Sequence, residues 1–166
     1  MKKAETESAV VRPVAESDVN DVVALVRELT AHEQASDQCH LTPAQLRTAL
    51  FDEEPALFGH VAEVGYEVVA FALWFRNFST WDGVHGIYLE DLFVQPEHRG
   101  CGLGRALLAE LAAECVHRGY SRLQWWALDW NAPAIGFYRS IGAEPMDEWT
   151  VYRITGRALT ALASNR

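Results

Sequence analysis

Arg99-Gly100-Cys101-Gly102-Leu103-Gly104 is the stretch on which the fold turns. An apolar, strand-like segment over 87–94, stopped by Pro96, runs into it. A helical pattern of Leu103, Leu107, Leu108, Leu111 and Cys115 leaves it and ends at Gly119. Glycines let the backbone approach a ligand closely, and the first-turn amides of a helix point outward with the positive end of its dipole behind them. A strand-to-helix turn of this composition is an anion site. A dinucleotide signature needs another glycine spacing and an acidic residue about twenty positions on, and a nucleoside triphosphate loop needs a following Gly-Lys-Ser/Thr, so neither fits. A plain glycine turn without a ligand accounts for the same residues, so these glycines alone do not establish catalysis.

Upstream of this turn, Val10, Val11 and Val14 read as a first strand, and Glu16 and Asp18 put acidic groups at a helix start. Val19, Val22, Val23, Val26 and Leu29 then recur at helical spacing until about His32. Thr42-Pro43-Ala44-Gln45 is a capping box that opens a second helix to about Phe51. Strands over 57–64 and 67–75 flank Gly65-Tyr66 as a hairpin turn, and a polar, glycine-containing loop is expected over 79–86. Downstream, a strand over 121–128, a helix over 132–141 ended by Gly142, a strand over 149–154 and a short helix from Gly156 complete the pattern. These elements make an α+β domain around one mixed, mostly antiparallel sheet, and a single domain is expected over residues 1–166.

Composition narrows the class. Apolar residues make up 49% of the 166 and charged ones 22%, a globular balance that excludes disorder, collagen and disulfide scaffolds. A net charge of −9 repels nucleic acid and anionic membrane and favours cationic partners. Cys39, Cys101 and Cys115 show neither a Cys-x-x-Cys pair nor metal-ligand spacing with histidine, so disulfides and metals are not indicated and a reducing cytoplasm is expected. The start, Met1 to Glu7, is basic but lacks the apolar stretch of an export signal, and the longest apolar run, 68–75, is far short of the ~20 residues that span a membrane.

A second constellation is Trp130-Asn131-Ala132-Pro133-Ala134-Ile135-Gly136-Phe137-Tyr138. Asn131 caps a helix there, Pro133 fits its first turn and Ile135 packs inward, which leaves Tyr138 open: a Tyr in a short helix is more often an amphipathic core filler unless a ligand channel runs beside it. Taken together with the glycine turn, these residues resemble the GNAT superfamily of acetyl-CoA-dependent N-acetyltransferases. Residues 99–104 match the family's Gln/Arg-x-x-Gly-x-Gly/Ala pattern, and 131–142 match its second motif. Within the superfamily the chain is similar to the spermidine/spermine and thialysine acetyltransferases, through Tyr88-Leu89-Glu90-Asp91, Trp130-Asn131 and Phe137-Tyr138. The likeness includes Arg12-Pro13, Glu28-Leu29, Glu33 and Leu41-Thr42. His32 stands where the family tends to have an aromatic residue, and Arg139 is followed by Ser140 and Ile141 rather than by basic residues.

The resemblance implies a GNAT fold with helices on both sheet faces, acetyl-CoA as co-substrate, no metal, and a homodimer. It implies that Arg99, Gly100, Gly102 and Gly104 hold the CoA pyrophosphate, with Arg105 able to replace a missing phosphate contact. Backbone around Leu92, Phe93 and Val94 would pair with pantetheine and polarise the thioester carbonyl, and Asn131 would contact the pantetheine arm. Tyr138 would protonate the departing thiolate. Glu90 would take the amine's proton directly or through water, and Glu33 and Asp91 would hold a cationic substrate such as a diamine, polyamine or thialysine. Trp81 offers a wall for that substrate's methylene chain.

The chemistry wants such groups. An alkyl ammonium of pKa ~10.4 costs about 4.6 kcal/mol to deprotonate at pH 7, and a carboxylate both attracts it and accepts its proton. A thiolate needs only a weak acid nearby, which a phenol supplies. The developing oxyanion needs a fixed donor, most cheaply a backbone N–H freed by a bulge or by splayed strands. Cys101, His32, His85 and His98 have no partner pattern and read as loop or surface residues. A protein lysine or N-terminal acetyltransferase and a non-catalytic CoA-binding sensor are the alternatives.

Overall fold

Residues 9–164 are described by the computed structural model, so the export-signal reading of Met1 to Glu7 lies outside them. The chain forms two compact units, which divide after Trp126. In the N-terminal unit, β1 (Val10–Pro13), β2 (Phe58–Val64), β3 (Glu67–Ser79), β4 (Val84–Val94) and β5 (Leu123–Gln124) build one sheet in that order. The first three pairings are antiparallel and the last is parallel, the mixed sheet that the sequence predicts.

Each face of this sheet is closed by a helical stripe. On one, α1 (Val19–His32) and α2 (Pro43–Phe51) pack Val22, Val26 and Leu46 against Val61, Phe71, Leu73 and Phe93. On the other, α3 (Leu103–Arg118) buries Leu107, Leu108 and Leu111 over β3 and β4. Val69 to Trp74 of β3 are consequently buried on both sides, so this strand reads as a continuous apolar run rather than an alternating one. Local signals place the helix ends as expected. Thr42 Oγ1 accepts from Gln45 N–H while Gln45 Oε1 accepts from Thr42 N–H, and Gly119 closes α3 in the left-handed region at φ +68°.

Three strand expectations change. The loop over 79–86 shrinks to a turn at 80–83, because Asn77, Phe78 and Ser79 pair with Gly86, His85 and Val84. Gly86 is an in-strand glycine for reasons of space. A Cβ there would lie 2.8 Å from both Arg122 Cγ and Asn77 Oδ1. The strand over 121–128 reduces to Leu123–Gln124, since β4 offers it partners only at Ile87 and Tyr88 before bending at a bulge. The strand over 149–154 does not form. Its β-prone side chains have no partner strand among the described residues, and propensity without a partner does not make a sheet. In the C-terminal unit only α4 (Ala132–Ser140) and α5 (Gly156–Ala163) are regular, both as expected.

One charged cluster ties the entry of the fold together. The Arg12 guanidinium donates to both carboxylate oxygens of buried Asp18, at 2.6 and 3.0 Å, and to Glu63 at 2.8 Å, while Asp18 also accepts from Ala15 N–H. Arg12 holds the Asp18 carboxyl below its usual range and is itself raised by the pairing. A depressed carboxyl stabilises the fold above its unfolded value and loses that contribution as pH falls through the folded one. Asp18→Asn is therefore expected to cost about 2 kcal/mol at pH 7 and progressively less below pH 4, read by urea unfolding at each pH.

Candidate active site

The site starts from an irregularity in the central hairpin. Trp74 pairs with Leu89 and Leu73 pairs with Asp91, so Glu90 is left opposite no residue and forms a β-bulge. One extra residue reverses the alternation of side chains. Ile87 and Leu89 point to the α3 side, whereas Asp91 and Phe93 point to the α1 side with Leu73 and Phe71. Without the bulge, Asp91 would face α3.

The reversal brings Asp91 toward the end of α1, where Glu33 is the C-cap. The chain leaves that cap through Gln34 in the left-handed region at φ +59°, with Gln34 N–H bonding to the Ala31 carbonyl and Ala35 N–H to that of Thr30. Burial pushes the Asp91 carboxyl up to about 6, and the charges of Glu90 and Glu33 add to the shift. Glu90 itself is exposed. The structure thus groups Glu33, Glu90 and Asp91. Trp81 is 87% exposed at the tip of the β3–β4 hairpin, on the order of 20 Å of strand away from the bulge, and is not brought to these acids.

Beyond Tyr88, no strand pairs with the outer edge of β4 among the described residues. Backbone groups along Glu90 and Leu92 are therefore available on that edge, whereas the Val94 carbonyl accepts from Arg99. Both sources of a fixed N–H donor considered from the sequence, a bulge and a departing strand, occur within a few residues of one another.

The glycine turn lies at the end of the same strand. Gly100 and Gly102 adopt φ +77° and +85°, and a Cβ at either would meet nothing within 4 Å. The glycines thus serve backbone conformation and leave the space in front of the turn open. Gly102 caps α3 without a side-chain bond, and the first backbone bond of the helix is Ala106 N–H to the Gly102 carbonyl. The amides of Leu103, Gly104 and Arg105 consequently point out of the helix end with no capping side chain, and no acidic residue occupies that first turn. These features fit a diphosphate.

Two contacts that sequence reasoning missed brace the turn. Arg99 Nε donates to the Val94 carbonyl at 2.9 Å with its guanidinium 5.5 Å from the centre of the Phe93 ring, so part of Arg99 is committed to holding the turn on β4. Gln95 bonds through its backbone to Val69 and through its side chain to Glu28 on α1. Arg105 is exposed on the first turn of α3.

In the C-terminal unit, Asn131 Oδ1 accepts from Ala134 N–H at 3.3 Å, so its oxygen caps α4 and its amide NH2 remains for another partner. Tyr138 is half-buried in α4 with its ring 5.4 Å from Phe137. Among the described residues, no three His, Cys, Asp or Glu side chains form a metal site.

Residues 23–143 match the acetyltransferase (GNAT) family. The chain belongs to that family and is an N-acetyltransferase. It is 35% identical to thialysine N-epsilon-acetyltransferase of Bos taurus over 92% of this chain and 96% of that protein. It is 27% identical to spermidine/spermine N(1)-acetyltransferase-like protein 1 of Homo sapiens, over 92% of this chain but 23% of the relative. Among solved structures, an integron cassette protein from the mobile metagenome of V. cholerae superposes with a TM-score of 0.79 at 29% identity, covering 94% of this chain and 98% of that one.

Asp91 gives a direct check on this geometry. A carboxyl raised in the folded state opposes folding once pH passes from its unfolded value of about 3.9 to its folded value. Asp91→Asn is therefore expected to leave stability unchanged near pH 3.5 and to raise it by about 3 kcal/mol at pH 8, read by thermal or urea unfolding at both pH values.

Proposed function

We propose that this N-acetyltransferase moves acetyl from acetyl-CoA directly to a primary amine of a small cationic acceptor: a diamine, a polyamine or a lysine analogue such as thialysine. The observation that carries the reading is the grouping of Glu33, Glu90 and Asp91 at the bulge, beside the open edge of β4. A carboxyl raised by burial and by two neighbouring acids is relieved by a cation, and an ammonium supplies both that charge and the nucleophile. Thialysine acetyltransferases that match nearly the whole chain support the same acceptor class. So does a match to an L-ornithine N5-acetyltransferase of Arabidopsis thaliana. Nothing in the comparisons favours a protein acceptor, and the retained Glu90 and Tyr138 speak against a silent CoA sensor.

Each residue then has a task. Arg99, Gly100, Gly102 and Gly104 hold the diphosphate of acetyl-CoA, with Arg105 beside them. Leu92, Phe93 and Val94 offer backbone to its pantetheine arm, as does the amide of Asn131. Acetyl-CoA supplies an activated acyl carbon. Glu33 and Asp91 hold the acceptor's charge. Glu90, exposed at the bulge, takes one proton from the ammonium directly or through water, which frees the nitrogen lone pair for the carbonyl carbon. A backbone N–H on the β4 edge receives the charge that develops on the carbonyl oxygen. Tyr138 gives its proton to the leaving sulfur and regains one from the acylated nitrogen, so the reaction releases amide, free thiol and one proton. The reading treats residues 1–166 as one working N-acetyltransferase domain, as the family match across both units supports.

A homodimer in the cytoplasm belongs to the same proposal. It is supported by the exposed aromatic side chains Trp149 and Tyr152 of the C-terminal unit and by the unpaired cysteines. Among the described residues, no helix is long and apolar enough to cross a membrane.

Thiol release from acetyl-CoA against spermidine, short diamines, thialysine, lysine and peptides tests the acceptor class, with turnover expected on the free amines and none on peptides. In the same assay Tyr138→Phe is expected to lower kcat by about 10²-fold or more with little change in KM for acetyl-CoA. Glu90→Gln is expected to lose a similar factor at pH 7 and to recover part of it by pH 9, where more amine is already neutral. Wild-type rates in both variants across pH 6 to 9 would remove these assignments.

A further inference from the structure

A cleft of about 270 Å³ opens where β1 stops short of the end of β2. β1 pairs as far as Pro13 opposite His60, and one further bond joins Val14 N–H to the Gly59 carbonyl at 3.0 Å. Phe58 is left with a sheet partner only on its other side, Trp74. The walls are Phe58 and Trp74, stacked with centroids 4.6 Å apart, and Leu50 and Phe51 from the last turn of α2, with His60 and Glu114 as the polar groups. None of these residues has a task in acetyl transfer.

Its lining carries a single charged side chain, Glu114, which is ion-paired with Arg118. His60 Nδ1 accepts from the Trp74 indole N–H at 3.3 Å, which places the imidazole proton on Nε2. Burial lowers the affinity of this imidazole for a second proton, so it is neutral at pH 7 although Glu110 and Glu114 pull the other way. Glu114 is consequently the one full charge among the lining side chains. Its Oε1 accepts from Arg118, and no bond to Oε2 occurs among the described residues. The cleft also receives the negative end of α2, whose last turn holds no basic residue and which runs directly into Asp52, Glu53 and Glu54. Trp74 stacks with Phe58 and His60, and the Arg76 guanidinium stands 5.3 Å from the centre of the Phe58 ring, outside the lining, so the aromatic groups offer a ligand apolar contact.

We infer that this cleft binds a small organic ammonium ion, with its apolar body on Phe51, Phe58 and Trp74 and its charge at Glu114. The volume falls just below the ~300 Å³ at which small-molecule sites begin, so the ligand is compact. The inference is independent of the acetyl-transfer site, whose carboxyl groups are Glu33, Glu90 and Asp91.

The experiment is an NMR titration of the 15N-labelled full chain with n-hexylammonium chloride. It follows the indole N–H of Trp74, assigned by its disappearance in Trp74→Phe. A saturable shift of that resonance is expected in the wild type and in the Glu33→Gln/Asp91→Asn double variant. Glu114→Gln is expected to bind about tenfold more weakly or worse, the loss of one charge-assisted contact, with its other indole resonances unmoved as proof of folding. No saturable shift in the wild type overturns the inference. So does equal binding of 1-hexanol, which would make the cleft merely apolar, and so does loss of the shift in the double variant, which would place the amine at the catalytic acids.

Discussion

A single unpaired residue in the central hairpin sets which way the acids of β4 face. Glu90 has no partner on β3, and every side chain after it on β4 changes face. Asp91 is thereby turned toward Glu33 at the end of α1, and it accepts a carboxyl raised to about 6 as the consequence of burial beside two other acids. The strand then carries polar backbone on an edge that no other strand occupies among the described residues. A regular ladder of the same residues would bury Asp91 against α3 and leave no such arrangement.

The glycine turn is the second constraint, and it is mechanically coupled to the first. Val94, at the end of the bulged strand, accepts from Arg99, and Gln95 links the same point to β3 and to α1. The uncapped amides of α3 are thus held at the end of the very strand that presents the acids. In the proposed reading, a cofactor held by its diphosphate there would run along β4 toward the carboxyl groups.

Much of this was legible in the residues. The stripe from Val19 to Leu29, the capping box at Thr42 and the terminator Gly119 all mark local energetic preferences, and the helices lie where those preferences place them. The glycine turn, and the acids adjoining one another in Glu90-Asp91, were readable for the same reason. What escaped was tertiary. The bulge is a property of how β3 and β4 pair, so the alternation within β4 gave no sign of it beyond an acidic pair interrupting an apolar strand. Gly86 looked like a loop residue because its place in the strand is spatial: a Cβ there would meet Arg122 and Asn77. Residues 149–154 carry strand-like side chains, but a strand is a relation between two segments, and no strand pairs with that segment among the described residues. Trp81 was grouped with the acids by chemistry alone, and the hairpin puts it at the far tip.

The most direct measurement is a crystal structure of the protein with CoA and a short diamine. The account predicts the diphosphate on the amides from Gly100 to Gly104 and an amino group within hydrogen-bond reach of Glu90 or Asp91. A diphosphate elsewhere, or a diamine bound away from the bulged strand, would contradict it.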